Sequence, residues 1–156
     1  MANQITINKV SKDATIVTLV APASTVNGSL LAVGSKNTDG TFAAAAPAAV
    51  TDTNVALVAT PTDSYEAEKV DNDFVIATSA LVRAYIPYVG FTITVPVANI
   101  TATAAITKDY VVVPKASAVK MECLATVAGT EAVVFTVEEL LTENGVASVT
   151  LRCIKA

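Results

Sequence analysis

Between Phe91 and Ala98 the chain alternates, with Phe91, Ile93, Val95 and Val97 on one phase and Thr92, Thr94, Pro96 and Ala98 on the other. That period of two predicts a strand with one face buried and one face wet. Pro96 sits on the outward phase, which predicts an edge strand or a bulge, because proline cannot donate to a ladder. Tyr110 to Val113 runs into Pro114, and Val119 to Val127 alternates again. Val133 to Val137 and Ala147 to Ile154 flank Thr142-Glu143-Asn144-Gly145, where Asn-Gly supplies the positive φ of a tight hairpin.

The first half is less regular. Ile5 to Ile7 and Ala14 to Val20 predict two strands, followed by a turn at Asn27-Gly28. Ser29 to Val33 ends at Gly34, and Asn37 to Gly40 is a cluster of turn residues. Ala43 to Ala49 is of low complexity and interrupted by Pro47, so a linker or an extended segment is expected there in place of a helix. Val55 to Ala59 reads as a strand stopped by Pro61, and Ser64 to Val70 as a helical turn capped near Asp63. Phe74 to Ile86 fits strand or helix, and strand is favoured by its Phe-Val-Ile start. Many short strands with turns between them predict an all-β, mainly antiparallel fold, a small β-sandwich or barrel with an extended N-terminal arm. The expected organisation is N-terminal strands or arm over 1–42, an Ala/Pro-rich and acidic connection over 43–73, and a β core over 74–156. A single domain over 1–156 is the alternative.

Composition sharpens this. The 156 residues are 53% hydrophobic but only 5% aromatic, so small and β-branched side chains must fill the interior. No run approaches the roughly 18 apolar residues of a membrane-spanning helix, and Lys9 and Lys12 before Ala14 to Val20 fit a strand better than a secretory leader. No membrane partner is expected, and an apolar surplus with few charges predicts that part of the surface is covered by a partner. Net charge is −4 with no basic cluster, which argues against nucleic acid. The acidic run from Asp63 to Asp73 reads as a solvated loop or short helix.

Candidate chemistry is thin. There is no histidine, the side chain that most often serves as base at neutral pH or binds metal. Ser117 and Lys120 are a formal nucleophile–base pair without the context that would orient them. Glu138 and Glu139 point to opposite faces on a strand and cannot form an acid–base pair. Asp71-Asn72-Asp73 lacks the spacing of a calcium loop, and the glycines are too scattered to cradle phosphate. Neither a catalytic residue, nor a metal, nor a cofactor is expected. Cys123 and Cys153 fall on inward phases and are expected as reduced core thiols. The sequons Asn27-Gly28-Ser29 and Asn99-Ile100-Thr101 carry little meaning without a leader. Tyr85, Tyr88 and Phe91, around Pro87 and Gly90, form the one aromatic concentration; they are either core packing or a contact hot spot, and they are the candidate interface residues.

The order Gly90 to Val95, then Lys108-Asp109-Tyr110-Val111-Val112-Val113-Pro114, then Phe135 to Glu139, then Val149 to Ala156 resembles capsid decoration proteins of tailed bacteriophages, also called head-cement or head-fibre-like proteins. The likeness covers about residues 74–156. Lys108 stands where such chains often carry glycine. The resemblance implies a β-rich protein, not an enzyme, made in the host cytoplasm and bound to the capsid exterior. Its implied partner is the major capsid protein, whose subunits it bridges as a homo-oligomer such as a trimer. A tail-tube, fibre or other virion structural component is the alternative.

Overall fold

The computed structural model of the chain describes residues 5–60, 76–143 and 145–156. The expected helical turn at Ser64 to Val70 and the acidic run lie outside them. The described residues form twelve strands: β1 (Thr6–Lys9), β2 (Ile16–Val20), β3 (Leu30–Lys36), β4 (Phe42–Ala45), β5 (Val55–Val58), β6 (Leu81–Tyr85), β7 (Thr92–Pro96), β8 (Thr101–Ala102), β9 (Val111–Val113), β10 (Glu122–Leu124), β11 (Val134–Glu143) and β12 (Val146–Lys155). Strands β2 to β6 close a barrel in the order β2-β4-β3-β5-β6, and the others form one sheet, β1-β7-β12-β11-β9-β10-β8. All pairs are antiparallel except β2 with β4 and β8 with β10. The fold is all-β, as the periodicity predicts.

The five-stranded barrel explains the composition. Barrel diameter grows with strand number, so five strands leave room for small side chains only. Leu19, Leu31, Ala56, Val58, Val82 and Ala84 fill it, and among the described residues Phe42, at the margin, is the one aromatic packed there. Ala43 to Ala45 is therefore part of strand β4, extended as one of the two expectations had it: pairing with β2 and β3 holds it, and Ala44 is the alanine of the three that packs against the barrel interior.

The outer wall of β3 and β5 carries the opposite set of side chains. Leu30, Val55 and Leu57 join Phe91, Ile93, Val95, Phe135, Val149 and Leu151 of the sheet in one cluster. Every residue of β5 is therefore buried, which its unbroken Val-Ala-Leu-Val run anticipates. The barrel takes the strands from Ile16 to Tyr85, and the sheet takes β1 and the strands from Thr92 on. Because β1 pairs with β7, the N-terminal strands are divided between barrel and sheet.

Four strands are started by one recurring device. Gly28, Ser79, Gly90 and Asp109 have φ between 66° and 93°. Each is the third residue of a turn closed by an i to i+3 bond, within Val26–Ser29, Ala77–Ala80, Tyr88–Phe91 and Thr107–Tyr110. The N–H of each donates to a carbonyl on the neighbouring strand, of Val58, Ala21, Cys153 and Val137 in turn. The N–H of the residue bearing that carbonyl donates in return to the carbonyl of the turn's last residue, Ser29, Ala80, Phe91 or Tyr110, at 2.8 to 2.9 Å. Two residues thus oppose one, the pattern of a bulge with a left-handed first position. A fifth turn, Lys115–Ala118, places Ser117 (φ 58°) against Pro47, which has no N–H to return. No ladder starts there, and the strand expected over Val119 to Val127 shrinks to β10.

Candidate docking surface

Tyr85 ends β6, and Pro87 leads into the Tyr88–Phe91 turn that starts β7. Gly90 (φ 93°) reverses the chain so that the three rings meet: Tyr85 stacks on Phe91 with centroids 5.9 Å apart, and Tyr88 lies tilted against Phe91 at 5.6 Å. Phe91 is fully buried and Tyr85 nearly so, in the cluster that joins barrel to sheet. As contact residues these two are corrected: aromatic area at this junction is consumed inside the molecule. Tyr88 is half-buried, and its hydroxyl accepts the Ser11 N–H, clasping the N-terminal segment.

What the clasp presents is aliphatic. Val89, at the corner of the turn, is 64% exposed. Ile154 follows Cys153, the residue bonded to Gly90 and Phe91, and is 43% exposed; Val10 precedes the Ser11 held by Tyr88, and is 42% exposed. Ile16 pairs with Tyr85 and is 51% exposed. Four of the six large hydrophobics exposed among the described residues therefore flank one turn. The available sequence signal was Val89 itself, an aliphatic residue at a corner where turn chemistry favours polar ones.

The charges around this end are Lys9, Lys12 and Asp13, all exposed, with Lys155 directed at the Gly129 carbonyl. Arg152 is taken by Glu138 at 2.5 Å. Glu131 is buried, and its carboxylate accepts the N–H groups of Ala128 and Gly129 at 3.0 and 2.8 Å. Its own backbone N–H, those two donors and the Lys155 charge hold it below the usual carboxylate range, against the effect of burial.

The remaining candidates fall elsewhere. Ser117 and Lys120 line a groove of about 530 Å³ with Pro22, Ser24 and Thr101, but the Lys120 ammonium donates to the Ala98 carbonyl at 2.9 Å. Glu138 is the extra residue at a register shift between Val137 and Glu139 and is ion-paired with Arg152, and Glu139 is exposed. Cys123 and Cys153 are free and buried; burial raises both thiols, Cys153 to about 11. The sequon residues Asn27 and Asn99 have no exposed surface: Asn27 exchanges two bonds with Thr60, and Asn99 donates to the Asn27 carbonyl. Asp71-Asn72-Asp73 lies outside the described residues, and among those described no three His, Cys, Asp or Glu side chains are placed to share a metal. No helix among them is long and apolar enough to cross a membrane.

Compared with known proteins, the chain matches no family model, no curated protein and no solved structure.

Proposed function

We propose that this chain is a virion structural protein of a tailed phage that docks on the outer surface of the capsid and bridges major capsid subunits. The observation that carries the reading is the aliphatic end formed by Val10, Ile16, Val89 and Ile154. Exposed apolar side chains gathered near one turn suit a contact site, and the backbone around Val89 loses little freedom on docking, because two bulge bonds and the Tyr88 hydroxyl fix it. The resemblance of residues 74–156 to capsid decoration proteins supplies the partner. On a lattice, a contact of this modest size is multiplied by repetition.

Co-sedimentation with expanded empty heads of the phage that encodes the chain tests this. Saturable binding at a fixed ratio to the major capsid protein is expected; a protein left wholly in the supernatant at saturating heads overturns it. The second reading, a tail-tube or fibre component, is favoured by β1 and β8, which have a strand on one side only among the described residues. Under that reading the protein alone forms tubes visible by negative-stain electron microscopy.

A further inference from the structure

The groove beside Ser117 lies where barrel meets sheet, and junctions of this kind are where small-molecule sites recur. Its barrel wall is Pro22 to Ser24, just past β2, with Ala46, just past β4; its sheet wall is Thr101 of β8 and Ser117 to Lys120. Its volume of about 530 Å³ suits a small organic molecule. Three kinds of group line it. Pro22, Ala46 and Val119 offer apolar contact, Ser24, Thr101 and Ser117 offer hydroxyls, and Lys120 brings the one charge.

That charge is held but not neutralised. The Lys120 ammonium donates to the Ala98 carbonyl at 2.9 Å, and among the described residues no carboxylate pairs with it. Glu122, in register with Thr101, is already paired with Lys115 at 2.9 Å. Nor, among the described residues, do the three hydroxyls have a protein partner. Ser24 and Ser117 are two of the four described non-glycine residues with positive φ, at 64° and 58°. Such backbone costs on the order of 1 kcal/mol or more at each residue and gathers at ligand sites. In a chain of net charge −4, the groove is a local excess of cation and hydroxyl donors without an acid in its lining.

We infer that this groove binds a small organic carboxylate, its anion facing the Lys120 ammonium and the hydroxyls and its hydrocarbon part lying on Pro22, Ala46 and Val119. A bond between ammonium and carboxylate is charge-assisted, stronger than the one Lys120 makes to a neutral carbonyl. Inorganic phosphate meets the same donors but leaves the apolar wall uncovered, so an organic acid is preferred. The inference does not depend on capsid binding, because the docking surface takes its β2 residue, Ile16, from the other end of that strand.

Amide-shift titration of the isotope-labelled full chain with sodium butyrate, at constant ionic strength, tests it. Shifts confined to the groove and saturating in the millimolar range are expected. Butanol, which lacks the charge, and inorganic phosphate, which lacks the hydrocarbon, should each bind at least about fivefold more weakly. Lys120→Met should weaken butyrate binding by about tenfold or more, and the isosteric Thr101→Val should weaken it as well. Lys108→Met, outside the groove, should leave it unchanged. The amide spectra show which variants fold. Shifts that grow without saturation, a folded Lys120→Met or Thr101→Val protein that binds as the original does, or butanol or phosphate binding as tightly as butyrate overturns the inference.

Discussion

At the scale of single residues, two buried groups make opposite predictions about solvent. The Cys123 and Cys153 thiols are raised by burial, so the reactive thiolate is scarce at neutral pH. Neither should react with a thiol reagent in the native protein at pH 8, and both should react at once in denaturant; prompt native labelling would contradict the packing. Glu131 works the other way. Its carboxyl titrates lower folded than unfolded, so its contribution to stability is fully present above its unfolded value and is lost as pH falls through its folded value. Melts of the native protein and Glu131→Gln should differ near pH 7 and converge in acid. A constant gap down to pH 2.5 would show that the carboxylate's charge is not what caps the Ala128–Glu131 turn.

At the scale of elements, the bulged turns separate backbone strain from steric strain. A Cβ on Gly28 would lie 3.0 Å from Val95 Cγ1, whereas one on Gly90 meets nothing within 4 Å. Gly90→Ala should therefore cost only the left-handed penalty, about 1–2 kcal/mol, and Gly28→Ala that penalty plus a displaced core valine, about 2–5 kcal/mol in all; urea melts would show the order. Equal costs would mean that Val95 yields freely. These turns also mark the limit of what was legible. The Phe91 to Val97 alternation, the β5 run and the Asn-Gly hairpin could be read from the chain because each is a local pattern. The shared turn could not, since glycine, serine and aspartate all fill its third position and only φ and a distant strand define it. Nor could the closure of β4 into the barrel, which local preference opposes and pairing with β2 and β3 imposes. The aromatic trio was found by composition, but its burial depends on how barrel meets sheet, and the exposed set around Val89 comes from three stretches far apart in sequence.

At the scale of the whole molecule, β5 is the seam. Its Ala56 and Val58 face the barrel interior while Val55 and Leu57 face the sheet, so neither body has a complete core without it. Leu57→Ala should cost about 2–5 kcal/mol and lower the melting of barrel and sheet together, in one transition by both far-ultraviolet dichroism and tyrosine fluorescence. Val89→Asp belongs to the same comparison from the outside: it places a charge on the most exposed aliphatic residue, where stability should change by no more than about 0.5 kcal/mol. Binding to heads should fall sharply, because the charge must then be desolvated against an apolar partner surface. The pair thus separates framework from contact. A Val89→Asp protein that melts normally and binds heads as tightly as the original would place docking elsewhere on the molecule, while leaving the seam argument untouched.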